Sequence, residues 1–276
     1  MKYLVTSATG DLAFLSVKFL IDLVGKEKII VTVRSLEKAK KLEDIGVEIR
    51  IADYFDKSSL VTAFQGVNRV LFVSSGELDK RKEQHKNVVE ALIEANVDFV
   101  AYTSAPNAQK SKAMIAPDHK FTEHLIEVSG LDYSFLRNNW YLENEAMLID
   151  AIKNDTTFMY SAGDGKAGWA KKSDYAEGAA HVLVGDVPER KIYEFGGKPL
   201  SYPELADFLQ KGKKYKIDLE SITDDAYRHV LETNGFPEGA TNFIVGVQKD
   251  IREGELDISS TDLEDILGRK LELDLT

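Results

Sequence analysis

The chain has 276 residues, 43% of them hydrophobic and 29% charged, which is ordinary for one large globular domain or a domain and a half. A net charge of −11 argues against a nucleic-acid surface, and the absence of cysteine excludes disulfides, thiolate catalysis and cysteine-held metals. No run approaches the ~18–20 apolar residues of a membrane span, and no apolar leader precedes the first predicted strand, so a cytoplasmic protein is expected.

Tyr3–Thr6 reads as a short strand, Ser7–Gly10 as a small-residue turn, and from Asp11 the spacing of Leu12, Leu15, Phe19, Leu20 and Leu23 is helical. Strand, tight turn and helix aim a helix N-terminus at one point, which suits a phosphate or pyrophosphate. The motif is an altered G-x-x-G-x-x-G, with Ser7, Gly10 and Ala13 in the three glycine positions.

The alternation then repeats. Strands are predicted at Ile29–Val33, Val47–Ile51, Val70–Val73, Phe99–Thr103 and Tyr133–Leu136. Helices are predicted at Leu36–Ile45, Leu60–Phe64, Lys82–Asn96 and Asp118–Ser129. Short loops between them imply right-handed crossovers and a Rossmann-type, doubly wound parallel sheet, an α/β fold with its crevice at the carboxyl ends of the strands. Residues 1–145 form this nucleotide-binding unit. Beyond it the rhythm changes to helices at Ala146–Lys153, after an N-cap at Ser173, after a capping box at Ser201-x-x-Glu204, and at Thr223–Thr233, Pro237–Glu253 and Thr261–Leu267. Thr157–Tyr160 reads as a strand and Ser161–Gly168 as a glycine-rich loop. Residues 146–276 are expected to form a smaller, mainly helical lobe over the crevice, with Lys191–Phe195 returning to the main sheet. Basic clusters at Lys38–Lys41 and Lys211–Lys216 read as solvated faces.

Arg34 follows the second strand directly, where a dinucleotide site meets the adenosine ribose and an arginine suits the 2′-phosphate of NADP. Asp53-Tyr54 follows the third strand, where a carboxylate can accept from an adenine amino group or cap a helix. Ser74-Ser75-Gly76 ends the fourth strand and Thr103-Ser104 the fifth. The densest polar cluster, Arg137-Asn138-Asn139-Trp140-Tyr141-x-Glu143-Asn144, ends the sixth. So many donors and acceptors are poor core material. His119 and His124, five apart, do not share a helix face, so no metal set forms. None of the eleven tyrosines is followed by Lys four positions on, and there is no G-x-S-x-G elbow.

These motifs together resemble one family. Ala8–Leu12, Arg34, Ala52–Tyr54, Ser74-Ser75, Ala101–Ser104, His119-x-x-Thr122-Glu123 and Leu136–Asn144, followed by Ala162–Lys166, Ser173–Ala176 and Asp262-Leu263-x-x-x-Leu267-Gly268, are similar to the NmrA-like atypical short-chain dehydrogenases. Within these, the NADPH-dependent quinone oxidoreductases and triphenylmethane reductases match best. The resemblance implies NADP(H) as cofactor, no flavin, and hydride transfer to a quinone or dye-like small-molecule acceptor. It assigns the pyrophosphate to Ser7, Thr9, Gly10, Asp11 and Leu12, and the 2′-phosphate to Arg34. Asp53, Tyr54, Ser74, Ser75, Gly76, Thr103, Asn139 and Trp140 would line the cofactor path. Tyr141, Asn144 and His119 are the candidate catalytic donors to a developing oxyanion. No nucleic acid or membrane partner is implied, and a homodimer is allowed. Departures from the family are Ser7 and Ala13, Glu123 where sensor members carry Lys, and an end at Thr276 ahead of a final family helix. The alternative reading is an NADP(H)-binding redox sensor that does no chemistry.

Overall fold

The computed structural model describes residues 1–187, 190–211 and 216–274. Its main sheet is built from β1 (Tyr3–Val5), β2 (Ile29–Val33), β3 (Glu48–Ile51), β4 (Arg69–Phe72), β5 (Phe99–Ser104), β6 (Asp132–Asn138) and β8 (Ile192–Phe195), with β7 (Phe158–Tyr160) lying elsewhere. The order is β3-β2-β1-β4-β5-β6-β8, and every pairing is parallel. The order reverses between β1 and β4, so a crevice opens at their carboxyl ends. The central strands are apolar throughout, as strands covered on both faces must be: all five residues of β2 and all three of β1 are buried.

Helices α1 (Asp11–Val24), α2 (Lys40–Ile45), α3 (Lys57–Phe64), α4 (Arg81–Glu94) and α5 (Ala116–Glu127) connect the first six strands. Val17, Leu20, Val31 and Leu71 centre one core, and Leu60, Phe64, Phe72, Leu92 and Phe135 the other, on the opposite face. The lobe holds α6 (Ala146–Asn154), α8 (Tyr202–Leu209), α9 (Asp224–Thr233), α10 (Glu238–Arg252) and a two-stranded parallel sheet of β7 with β9 (Leu219–Ser221). Its core is aromatic, with Trp169, Tyr202, Phe158 and Tyr160 buried together.

Three expectations change. Helix α7 (Lys172–Val184) begins at Lys172 with Lys171 as N-cap, so Ser173 lies inside the helix and does not cap it. That helix packs along α1, and α11 (Asp262–Leu267) packs on α7 and β8. The second half of the chain therefore returns to the main sheet with two helices as well as the expected strand. The segment Leu36–Ile45 is a 3-10 turn followed by the short α2, because Ala39 breaks the regular bonding. The capping box at Ser201 and Glu204 is present in full. Most of the basic stretch from Lys211 to Lys216 lies outside the described residues.

Candidate active site

Two adjoining cavities occupy the crevice. The first, about 390 Å³, lies over the carboxyl ends of β1, β2 and β4. The second, about 300 Å³, lies under the lobe beyond β5 and β6. Ser74 and Lys172 line both and mark their junction.

The first cavity gathers Ser7, Thr9, Gly10, Asp11, Leu12, Arg34, Asp53, Tyr54, Ser74, Ser75 and Gly76, as the motifs predict. In the turn, the Gly10 amide donates to the Ser7 carbonyl at 3.0 Å, and the Phe14 amide is the first to reach back into the helix. The amides of Asp11, Leu12 and Ala13 have no acceptor within the helix, as at any helix start. Ser7 holds φ at +52°, a left-handed conformation that suits glycine. Gly10 does not need that freedom. Its backbone is extended, and a side chain there would meet only the Ser7 carbonyl, at 3.5 Å. A Cβ on Gly76 would meet nothing within 4 Å. The protein does not require glycine at either place, so the room they leave is room for a ligand.

Other groups show what holds the cavity. The Tyr54 phenol bonds Thr6 Oγ1 and the Val73 carbonyl and is pushed up to about 12 by burial, so Tyr54 ties β1 to β4 beneath the crevice. Asp53 Oδ1 accepts from the Phe55 amide, and the helix cap falls to Asp56, which accepts from the Ser58 and Ser59 amides. Arg34 pairs with Glu77 at 3.1 Å. Lys172 reaches from α7 to Asp11 at 3.4 Å, placing a cation at the start of α1. Gln84, buried on α4, leaves Oε1 with no donor.

The second cavity brings together Thr103, His119, Asn139, Trp140, Tyr141 and Asn144 with Arg81, Asn138, Phe243 and Asp250. Their roles divide on inspection of the bonds. Asn139 is committed to structure: its oxygen accepts from the Trp140 and Gly168 amides and its nitrogen donates to the Leu256 carbonyl. Thr103 Oγ1 accepts from the Ser74 amide and so props the junction from below. Trp140 and Trp169 both donate their indole N–H to Glu145, which the Tyr202 hydroxyl also meets. Burial raises the Glu145 carboxyl above its ordinary range. Trp140 lies 6.3 Å from Phe243, and behind the two a third cavity of about 240 Å³ continues into the lobe.

Tyr141 and Asn144 keep free donors. Asn138 Nδ2 donates to the Tyr141 hydroxyl at 3.1 Å, which leaves the phenol proton unassigned, and the Asn144 amide is exposed. Asn138 Oδ1 is buried and without a donor. His119 does not keep a free donor. Its ring is 3% exposed, with Nδ1 2.8 Å from the Tyr102 hydroxyl and Nε2 3.3 Å from Arg81 Nη1. Burial and then the guanidinium push it down to about 3. The imidazole is neutral and spent on holding its neighbours.

Arg81, Gln84, Glu77 and Lys172 were not singled out in the sequence. Gln84 lay within the predicted helix Lys82–Asn96 and Arg81 just ahead of it, and only the approach of α4 to the Ser74–Gly76 loop brings them to the crevice. Glu123, which matched the family motif, is wholly buried in a two-bond pair with Arg137 at 2.9 and 2.8 Å. Among the described residues no cluster of His, Cys, Asp or Glu could hold a metal, and no helix is long and apolar enough to cross a membrane.

Comparison with known proteins agrees with this geometry. The NmrA-like family model matches residues 1–264. Quinone oxidoreductase 2 of Escherichia coli (strain K12) is 34% identical over 265 residues, 96% of this chain and 93% of that protein. The crystal structure of the Escherichia coli NADPH-dependent quinone oxidoreductase complexed with NADPH superposes with a TM-score of 0.91 at 33% identity, covering 98% of this chain and 96% of the other. That of Citrobacter sp. triphenylmethane reductase complexed with NADP(H) gives 0.92 at 31% identity, covering 99% and 97%.

Proposed function

This chain belongs to the NmrA-like family, and we propose that it is an NADPH-dependent oxidoreductase that reduces a flat quinone- or dye-like acceptor without flavin. The observation that carries this reading is the pair of adjoining cavities at the carboxyl ends of the strands, which join at Ser74 and Lys172. Gln84 and Asn138, one lining each cavity, also leave a buried amide oxygen without a donor, which is rare in a folded protein. A dinucleotide spanning both cavities would bring its adenosine half to the first and its nicotinamide to the second.

When bound, NADPH supplies the hydride. The chain's residues then bind, orient and shield. The amides of Asp11–Ala13 and Lys172 would hold the pyrophosphate, and Arg34 the 2′-phosphate. Thr103 sets the height of the junction through Ser74. Trp140, held in place by Glu145, offers a flat face for an aromatic acceptor, so that a near-attack geometry supplies much of the rate. Tyr141 and Asn144 donate to the acceptor oxygen as it gains charge. The net charge of −11 suits a small-molecule enzyme, and the cytoplasm is its proposed location.

The test is loss of the reduced-nicotinamide absorbance with a panel of quinones and azo or triarylmethane dyes and no added flavin. Turnover with any of them supports the reading. Tight NADPH binding with no turnover in the panel would favour the redox sensor, whose NADP(H) site would look the same.

A further inference from the structure

Arg81 is used by nothing described so far except as a neighbour. It opens α4 under the Ser74–Gly76 loop, is 6% exposed, and lines the second cavity. Nε donates to the Ser75 carbonyl at 2.8 Å, and Nη1 faces His119 Nε2 at 3.3 Å. Neither partner is charged: with a guanidinium against Nε2, the His119 proton sits on Nδ1 toward Tyr102. Among the described residues no carboxylate lies within 4.0 Å of Arg81. Asp118 acts on it only from a distance and is itself held by Lys82 at 3.6 Å. A buried cation without a counter-ion is costly, and such a group is expected where negative charge is due to arrive. Among the described residues Nη2 makes no hydrogen bond, and the side chain lines the second cavity.

We propose that Arg81 is a catalytic residue of the second cavity that takes up the negative charge formed on an acceptor oxygen, and that it thereby selects neutral quinones over cationic triarylmethane dyes. This rests on the reductase reading above. A neutral quinone that receives a hydride gains two electrons and one hydrogen, becoming a hydroquinone monoanion. One proton from solvent completes the hydroquinone, and NADPH is oxidised to NADP+. A cationic dye receiving the same hydride forms a C–H bond at its central carbon and becomes neutral, with no oxyanion to stabilise. The other charged groups lining the cavity do not reverse this preference. Lys172 is a second cation, and the one carboxyl, Asp250, already accepts from the Met114 amide at 3.0 Å.

The first readout needs no turnover. Bound 4-nitrophenol, whose absorbance reports its ionisation, should show its pKa lowered by about one unit in the parent protein. The shift should vanish in Arg81→Met and survive in part in Arg81→Lys. The second readout is the ratio of kcat/KM for a neutral quinone to that for a cationic triarylmethane dye, which should fall at least tenfold in Arg81→Met. A misfolded variant would lose both activities and leave the nitrophenol site unfilled, and Arg81→Lys, which keeps the charge, then decides through its own nitrophenol shift. An unshifted nitrophenol in the parent, or an unchanged acceptor ratio in a folded variant, would overturn the proposal. A parent that shifts nitrophenol but turns over neither acceptor would sink the reductase reading and leave the anion site standing.

Discussion

Arg34 and Glu77 meet at 3.1 Å across the mouth of the first cavity, both well exposed, so the pair is a gatepost and not a brace. An exposed pair contributes under ~1 kcal/mol, whereas a charge-assisted phosphate contact contributes about 1.5–3 kcal/mol. A 2′-phosphate therefore wins Arg34 from Glu77. Titration of both nucleotides should show NADPH preferred to NADH by tenfold or more, with the preference lost in Arg34→Ala. Glu77→Gln should tighten NADPH a few-fold and leave NADH alone. Equal affinities in the parent would remove Arg34 from the site.

Ser7 sits at a backbone angle that costs a residue with a Cβ roughly 1–2 kcal/mol, part of which glycine returns through its freer unfolded chain. Ser7→Gly should raise the thermal midpoint by a few degrees, and Ser7→Val, with its branched Cβ, should lower it. Loss of NADPH affinity in the glycine variant would show that the hydroxyl serves the ligand.

Tyr141 and Asn144 are the donors left free where the acceptor would lie. Removing one oxyanion donor costs on the order of 3 kcal/mol in well-studied enzymes. Tyr141→Phe and Asn144→Ala should each lower quinone turnover at least tenfold with NADPH affinity nearly intact. A change in KM alone would make them binding residues.

His119 is held neutral, with its folded value near 3 against 6.5 when free. Its contribution is present above about pH 6.5 and is lost as pH falls toward 3, because the unfolded chain takes up a proton that the fold refuses. Asp250, raised by burial to about 6, runs the opposite way, while His85, lowered by burial, runs with His119, so the parent's own profile does not isolate one group. Comparing the parent with His119→Gln isolates the histidine. The stability advantage of the parent should shrink by about 1.4 kcal/mol per pH unit below 6.5 in urea titrations. A constant difference would mean that the ring is not buried neutral.

Glu123 and Arg137 form a closed pair, 0% and 6% exposed, with Glu194 as a second carboxylate on the arginine at 2.9 Å. Removing one partner of such a pair costs about 3–5 kcal/mol. Glu123→Lys, which puts a cation beside Arg137, should not fold at ordinary temperature. A folded Glu123→Lys protein would show that Glu194 alone satisfies the arginine.

The alternation of strands and helices and the crevice at the strand ends were legible because they rest on local signals: unbroken apolar runs, small-residue turns and short connections. Ser7 could be read as a strained turn residue and Arg34 as a strand-end cation for the same reason. What escaped needed proximity. Arg81 and Gln84 reach the crevice only because α4 folds under the fourth strand's loop, and Glu77, at the end of that loop, gains its meaning only from the approach of Arg34. Lys172 comes to Asp11 from 161 residues away. β9 was missed because its three residues include only one half-buried apolar side chain. Asn139 lines the second cavity, and what its neighbours could not show is that its three side-chain bonds also join the strand end to the lobe.

The return of the chain to the main sheet also dictates a timetable. Phe135 pairs with Ile192, and Arg137 bonds Glu194 across 57 residues of sequence, so the edge strand β8 can seat only after the intervening lobe segment has been drawn in. Closure over so long a span is slow compared with the neighbouring β4–β5 pairing. The first cavity takes only Lys172 from beyond β6, whereas the second takes Phe243, Val247, Asp250 and Leu256 from beyond β8. A nascent chain that stops short of α10 would therefore hold most of the dinucleotide crevice while lacking the wall against which an acceptor would rest.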